Sequence, residues 1–142
     1  MNFIRRVELQ DSESVHAIFD QANSDAQWLP SELRSNADFA KVSEGETIFV
    51  CYSHESGVLG FVSVYEAESF IHHLYVARRC QRQGVGTALL KSLEAWVPMP
   101  WYLKCVTRNE MALAFYLARG WVEESRADGP EGPYVLLKRT EG

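Results

Sequence analysis

A strand that passes through a glycine-containing loop into an amphipathic helix is the feature of this 142-residue sequence that most constrains its fold. Residues 70–76 are predicted to form the strand, and residues 84–96 the helix. The apolar residues of the helix recur on one face: Val85, Leu89, Leu93 and Trp96. A strand that leads directly into an amphipathic helix indicates a helix packed on a sheet, which is a layered α/β arrangement.

The remaining predicted elements extend this pattern along the chain. Strands are predicted at residues 2–9, 47–52, 59–65, 101–107, 121–126 and 134–139. One helix is predicted after an N-cap at Asp11 or Ser12, and a break at residues 28–32 ends it and starts a short second helix. A further helix is predicted over residues 110–118. No repeat or linker interrupts these elements, so we expect one mixed α/β domain over residues 1–142.

Composition narrows the class of protein. The formal net charge of −5 argues against a general affinity for nucleic acid, because neutralising phosphates needs an excess of Lys and Arg. The sequence has no apolar run long enough to cross a bilayer and no signal-peptide-type start. Cys51, Cys80 and Cys105 are odd in number and widely spaced, which favours neither disulfides nor a zinc site. We therefore expect a cytoplasmic protein with no nucleic-acid or membrane partner and no metal.

The loop between the strand and the helix has the composition of a phosphate-binding site. Gly84 and Gly86 let the backbone approach a ligand closely, at a helix start whose unpaired N–H groups favour an anion. Arg78, Arg79 and Arg82 add positive charge nearby. Two glycines alone more often mark a tight turn. The loop lacks the third glycine and the later acidic residue of a dinucleotide-binding motif, and it lacks the Gly-Lys-Ser/Thr of a P-loop.

Two motifs carry a resemblance to a known family. Gln81-x-x-Gly84-x-Gly86 resembles the pyrophosphate-binding motif (Q/R)xxGx(G/A) of the GNAT superfamily of N-acetyltransferases. Residues 109–121, NEMALAFYLARGW, are similar to that family's later motif, Asn-x-x-Ala-x-x-hydrophobic-Tyr-x-x-x-Gly-aromatic. The resemblance implies a mixed α/β fold. In the implied fold, a mostly antiparallel sheet of six to seven strands with one splayed parallel pair is flanked by about four helices.

The resemblance also implies acetyl-CoA as the cosubstrate. The pantetheine arm would lie in the opening between the strands at residues 70–76 and 101–107. Backbone groups of the first strand would pair with the arm, amides of the loop would bind the pyrophosphate, and Asn109 would hydrogen-bond the arm. The implied cofactor residues are Leu74, Tyr75, Val76, Gln81, Arg82, Gln83, Gly84, Val85, Gly86, Thr87, Asn109, Ala112, Phe115 and Tyr116.

In a family of this kind the amine attacks the thioester directly, which needs a base for the amine and an acid for the departing thiolate. Tyr116 matches the motif position of the acid. The strand resembles that of serotonin N-acetyltransferase, and this correspondence selects His72 as the base or water-relay partner. His73, Glu66 and Glu68 stay open as alternatives. Neighbouring strand residues point to opposite faces, so at most one histidine is expected to face the cleft unless a bulge intervenes.

The acceptor side favours a small amine over a peptide. The loop is shared with acetylases of ribosomal-protein amino termini, in which a glutamate five residues before the motif asparagine serves as base. Here that position is Lys104. The Gly- and Pro-rich turn at residues 128–133 is expected to form a compact lid over the acceptor. We therefore predict a small-molecule primary amine as substrate, with a peptide acetylase or a non-catalytic acyl-CoA-binding domain as alternatives. The protein is expected to be a monomer or a homodimer.

Overall fold

The computed structural model describes residues 1–26 and 38–140. Its strands are β1 (Asn2–Arg6), β2 (Thr47–Ser53), β3 (Gly57–Tyr65), β4 (Phe70–Val76), β5 (Trp101–Val106), β6 (Val122–Gly129) and β7 (Gly132–Arg139). Its helices are α1 (Ser12–Asp25), α2 (Phe39–Val42), α3 (Val85–Ser92) and α4 (Glu110–Leu117). Short 3-10 turns lie at Leu9–Asp11, Glu66–Glu68, Arg78–Cys80 and Leu93–Ala95. No helix within the described ranges is long and apolar enough to cross a membrane.

All seven strands form one sheet in the order β1-β2-β3-β4-β5-β7-β6. Neighbouring strands are antiparallel except β4 and β5, which are parallel. In the described residues β4 and β5 pair only at Phe70 and Tyr102, and the N–H of Tyr102 donates to the carbonyl of Ser69 at 3.0 Å. Beyond this pair the two strands diverge. The expected sheet, mostly antiparallel with one splayed parallel pair, is confirmed.

The predicted elements within the described ranges are present, with differences at their ends. β1 is shorter than predicted because the Asp11 carboxylate accepts a hydrogen bond from the N–H of Glu8 at 2.8 Å and turns the chain. α3 ends earlier than predicted and continues as a 3-10 turn. β6 and β7 are longer than predicted and close with two residues between Gly129 and Gly132. The short helix expected after the break at residues 28–32 lies outside the described residues.

The helices α1 and α3 pack on opposite faces of the sheet. Phe19 of α1 lies edge-on to His73 of β4, with ring centroids 5.4 Å apart. Gly86 of α3 lies against the side chain of Val76. His73 and Val76 are three residues apart on β4 and therefore point to opposite faces. The predicted apolar face of α3 is buried against the sheet through Val85, Leu89 and Leu93.

Candidate active site

The predicted phosphate loop lies on the surface at the start of α3. Gly84 occupies the N-cap with φ +81°, a left-handed conformation that glycine adopts without strain. The N–H of Ala88 donates to the carbonyl of Gly84 at 3.0 Å, so the N–H groups before Ala88 have no acceptor inside the helix. Gln81, Arg82, Gln83, Gly84 and Thr87 are exposed, and Val85 is buried. The loop can therefore present backbone N–H groups to an anion.

Two of the three arginines near the loop are held by the protein itself. Arg78 pairs with Asp25 at the end of α1, with Nε 3.2 Å from Oδ2. Arg79 donates to two carbonyl oxygens around the β2–β3 turn, at 2.8 and 3.3 Å, and so fixes the loop to that turn. Arg82 is exposed and makes no ion pair or hydrogen bond through its side chain with the residues that the structure describes. It is thus the arginine best placed to meet a phosphate.

Arg119 connects the two sequence motifs, although sequence reasoning gave it no role. Its Nε donates to the hydroxyl of Thr87 at 3.0 Å, and its Nη1 donates to the carbonyl of Phe115 at 2.9 Å. Its guanidinium lies 3.7 Å from the centroid of the Phe115 ring. A Cβ built on Gly86 would lie 3.5 Å from that ring, in ordinary contact. The loop and α4 therefore form one continuous surface, and the long, flexible side chain of an arginine gave no local signal of this contact.

The edge of β4 that faces β5 is open along the residues predicted to pair with pantetheine. Leu74, Tyr75 and Val76 pair with β3 on the other side, opposite Val62, Phe61 and Gly60. The described pairing with β5 ends at Phe70. Backbone groups on this edge are therefore able to hydrogen-bond an extended ligand, as the edge of any unpaired strand can.

The second motif caps α4 and places Tyr116 near Tyr75 of β4. Asn109 caps α4, and its side-chain oxygen accepts a hydrogen bond from the N–H of Ala112 at 3.3 Å. This leaves the side-chain NH₂ as the group with which Asn109 can contact a ligand. Ala112 and Phe115 are half-buried and pack against the core. Tyr116 is also half-buried, and its ring lies edge-on to Trp121 at 5.6 Å between centroids.

Tyr116 and Tyr75 approach each other from α4 and β4. Burial, together with the nearby Cys105 and Tyr75, raises the pKa of Tyr116 well above its usual range. Burial and the nearby Glu131 carboxylate raise the pKa of Tyr75 to about 12. Both hydroxyls therefore keep their protons at neutral pH and are available as hydrogen-bond donors.

A β-bulge places both histidines together. Ser63 of β3 pairs with His73, but the next residue, Val64, pairs with Ile71, so His72 is the extra residue in β4. The two imidazole rings are 3.9 Å apart between centroids, and both are near Glu46. The bulge is the exception that the prediction allowed for, and it removes the alternation of neighbouring residues between opposite faces here.

The two histidines nevertheless have different surroundings. His73 is buried among Phe19 and Phe39, and its Nδ1 is hydrogen-bonded to the Ser63 hydroxyl at 2.9 Å. Burial, with a smaller effect of His72, lowers the pKa of His73 to about 3, so its ring is neutral. The side chain of His72 is 41% exposed, and its Nδ1 is hydrogen-bonded to the Glu46 carboxylate. Only His72 can receive a proton from a molecule in the solvent without a rearrangement of the core.

The carboxylates near this cluster differ from those expected. Glu66 accepts a hydrogen bond from the Thr47 hydroxyl, and Glu68 is exposed in the 3-10 turn before β4. Glu46, which sequence reasoning did not select, is the carboxylate that contacts His72. It lies just before β2, 26 residues from its partner, in a segment without a motif. A hydrogen bond across the end of the sheet has no local sequence signal.

Lys104 points out of the fold. It is exposed, and its Nζ lies 5.2 Å from the centroid of the Tyr134 ring. Next to it on β5, Cys105 is buried, and burial raises the pKa of its thiol to about 11, which makes it a poor nucleophile at neutral pH.

The predicted lid is not a separate structure. Residues 128–133 are part of the β6–β7 ladder, because Gly132 at φ +113° permits a tight two-residue turn. The tip of this hairpin carries Glu131, the carboxylate that acts on the pKa of Tyr75. The hairpin tip is therefore near enough to β4 for its charge to act on Tyr75.

The fold and the site define an acyltransferase of one family. The sequence model of the acetyltransferase (GNAT) family matches residues 12–121. The chain belongs to this family, and it is an acetyl-CoA-dependent acyltransferase. No protein of curated function matches the sequence.

Solved structures show the same fold over the full length of the chain. The apo form of YjaB from Escherichia coli superposes with a TM-score of 0.82 at 19% identity, covering 100% of this chain and 99% of that one. The PaiA N-acetyltransferase from Thermoplasma acidophilum, in complex with coenzyme A, has a TM-score of 0.79 at 13% identity and 99% coverage of both chains. A candidate streptothricin acetyltransferase from Bacillus anthracis, in complex with acetyl coenzyme A, has a TM-score of 0.72 at 16% identity, with 99% and 100% coverage.

Proposed function

We propose that this protein moves the acetyl group of acetyl-CoA to the primary amine of a small molecule by direct attack. The observation that carries the proposal is the divergence of β4 and β5 after Phe70 and Tyr102. This divergence leaves an open strand edge that runs toward the glycine loop at the start of α3. The opening suits an extended, amide-bearing arm that ends in a pyrophosphate, which is the shape of coenzyme A.

Acetyl-CoA binding rests on the residues predicted from the motifs. The backbone of Leu74, Tyr75 and Val76 supplies donors and acceptors for the arm. The N–H groups of the loop over residues 81–87, with the side chain of Arg82, meet the pyrophosphate. The Asn109 NH₂ group reaches the arm, and Ala112 and Phe115 give it an apolar wall. When bound, this cosubstrate supplies the activated acetyl group.

Tyr116 is the proposed acid. Its raised pKa keeps the hydroxyl protonated at neutral pH, so it can donate to the sulfur that leaves. A thiolate formed near a buried hydroxyl gains a strong, charge-assisted hydrogen bond. Tyr75, protonated for the same reason, is near enough to influence Tyr116 and can support its orientation.

His72 is the proposed base or water-relay partner. Its exposure gives an incoming ammonium group access to the imidazole, and the hydrogen bond to Glu46 fixes the ring. His73 is tied to Ser63 and buried, and Glu66 is hydrogen-bonded to Thr47. These contacts favour His72, whose second nitrogen can face the acceptor, and exposed Glu68 is the alternative base.

A small, cationic amine fits the acceptor side best. Glu46 places negative charge beside the proposed base and Glu131 places it near Tyr75, whereas Lys104 stands where peptide acetylases of this loop type have a carboxylate. A structural neighbour, the candidate streptothricin acetyltransferase, bears the name of a small-molecule acetylase.

The test is a thiol-release assay with acetyl-CoA and two sets of acceptors, small amines and ribosomal amino-terminal peptides. We expect turnover with small amines. Tyr116→Phe should lower turnover by roughly 10²-fold while leaving acetyl-CoA affinity nearly intact, and His72→Ala should lower turnover without loss of that affinity. Tyr65→Phe, at an exposed tyrosine, is the matched control. Efficient use of peptides alone would overturn the acceptor class, and full activity of both variants would remove these residues from the mechanism.

We also propose that the protein acts in the cytoplasm as a monomer or homodimer, with residues 1–142 forming one catalytic domain. All three cysteines are buried free thiols, which suits a reducing compartment. Light scattering of the purified protein, with and without acetyl-CoA, would measure the oligomeric state.

A further inference from the structure

Three potential metal ligands converge at the bulge in β4. One donor atom from each of Glu46, His72 and His73 lies within 4.8 Å of the others. In contrast to the expectation from the sequence, we propose that this cluster binds one Zn²⁺ ion and that the bound ion blocks acetyl transfer. Two imidazoles and one carboxylate are a donor set that zinc uses in proteins, with a fourth position left to water.

The environment of the Glu46 carboxylate is the first observation that supports a metal ion at this cluster. Its side chain is only 8% exposed, and its Oε1 is buried with no hydrogen-bond partner among the described residues. Oε1 lies 3.8 Å from Nδ1 of His73, too far for a hydrogen bond. A buried carboxylate oxygen without a partner is costly, and a cation between Oε1 and the imidazole removes that cost.

The spacing of the donors gives the second reason. Zinc bonds of about 2.0–2.1 Å place tetrahedral ligands about 3.3 Å apart. Glu46 Oε1 and His73 Nδ1, which are 3.8 Å apart, therefore need to approach each other by about half an ångström. The bulge is what makes the set possible, because in a regular strand His72 would point to the opposite face from His73. Metal binding through Nδ1 of His73 requires the Ser63 hydroxyl to rotate away from that nitrogen.

The access of solvent to the cluster and the charge of its donors also support a zinc ion. The side chain of His72 is 41% exposed, so an ion can reach the cluster from solvent and keep a water ligand. The cluster brings one negative charge and two neutral imidazole nitrogens to a divalent ion. Mg²⁺ and Ca²⁺ prefer sites made entirely of oxygen, so the imidazoles select zinc and related transition metals over them.

The inhibitory effect rests on the proposed function, but the binding of metal does not. A metal bond through Nδ1 of His72, the nitrogen beside Glu46, leaves the ring proton on Nε2. The second nitrogen then has no lone pair with which to accept the proton of the amine. Zinc should therefore compete with the amine and leave acetyl-CoA binding unchanged, since the loop and the open edge of β4 are made of other residues.

The experiment starts with chelator-treated wild-type protein and isothermal titration with Zn²⁺, with Mg²⁺ as a second ion. We expect one Zn²⁺ per chain and no heat from Mg²⁺. Glu46→Gln and His72→Ala should each weaken Zn²⁺ binding at least tenfold. His54→Ala, at an exposed histidine outside the cluster, is the control and should bind like the wild type. Absence of binding to the wild type, or equal binding by all variants, would overturn the site.

A second measurement avoids variants that fail to fold. The protein has four histidines, at positions 16, 54, 72 and 73. Long-range ¹H–¹⁵N NMR can follow the ring nitrogens of each of them during a zinc titration. Zinc should shift the signals of His72 and His73 and leave those of His16 and His54 in place. Shifts confined to His16 or His54 would contradict the proposal.

Measurements of acetyl transfer distinguish the proposed metal site from its proposed inhibitory effect. Zinc bound at the cluster should inhibit acetyl transfer, and EDTA should restore it. Zinc that binds the cluster without inhibiting the reaction would refute the blocking role and the assignment of His72 as base, while the metal site itself would stand.

Discussion

Gly60 provides a stability test that can be worked out from the structure. It lies in β3 opposite Val76, next to the strand segment assigned to the cosubstrate. A Cβ at this position would lie 2.8 Å from the carbonyl oxygen of Tyr75, 3.1 Å from a methyl of Val85 and 3.3 Å from Cα of Val76. Two of these contacts are with backbone atoms, which cannot rotate away, so Gly60→Ala forces β3 and β4 apart.

Overpacking of this kind costs about 1–3 kcal/mol. The unfolding entropy of a 142-residue chain is about 0.3 kcal/mol/K, so the midpoint of thermal unfolding should fall by about 3–10 °C. Gly86→Ala is the matched control: its Cβ would lie 3.5 Å from Phe115, in ordinary contact, and alanine favours the helix. Calorimetry without ligand should show a lower midpoint for Gly60→Ala and no decrease for Gly86→Ala. An unchanged midpoint for Gly60→Ala would refute the steric reasoning.

Further predictions concern the loop and the first turn. Gly86→Glu should lower acetyl-CoA affinity at least about tenfold, or ~1.4 kcal/mol, because a bulky anionic side chain enters the phosphate loop. Calorimetry on the folded variant measures this, and unchanged affinity would remove the loop from the site. Asp11 is buried and accepts two hydrogen bonds from Arg5, at 2.6 and 3.1 Å, which lower its pKa. The contribution of ionised Asp11 to the free energy of unfolding is therefore present above the unfolded pKa of about 4, and it disappears as pH falls through the folded pKa. Asp11→Asn should lower the free energy of unfolding by about 1–3 kcal/mol at pH 7, and less in acid. Denaturant titrations at several pH values check this, and an equal loss at all pH values would contradict it.

The sequence predicted those features that depend on local pattern. The strand at residues 70–76 has the bounds predicted for it, because polar residues mark the turns on both sides of it. The helix start at Gly84 followed from the same kind of local signal. The apolar run at residues 110–118, followed by Gly120 as a C-terminal cap, predicted α4.

Features that depend on contacts between distant segments could not be predicted in this way. The bulge at His72 arises from the register of β3 on β4, which no single strand specifies. The contact of Glu46 with His72 depends on the fold of the sheet, which brings the residue before β2 to the bulge in β4 although β3 lies between the two strands. The full length of the β6–β7 hairpin was missed because the Gly and Pro residues indicated a turn over residues 128–133, whereas the pairing continues to a two-residue turn before Gly132. In each case tertiary pairing decided between local conformations that the sequence leaves open.

The single pair of residues that joins β4 to β5 has a consequence for cooperativity. The sheet consists mechanically of a four-stranded part, β1 to β4, and a three-stranded part, β5 to β7, with a seam between them. Hydrogen exchange in the unliganded protein should therefore show two groups of amides that open with different free energies. An arm that hydrogen-bonds along the open edge of β4 would bridge the seam as an eighth strand. The cosubstrate would then make the two parts unfold together, so the same molecule that brings the acetyl group would complete the sheet.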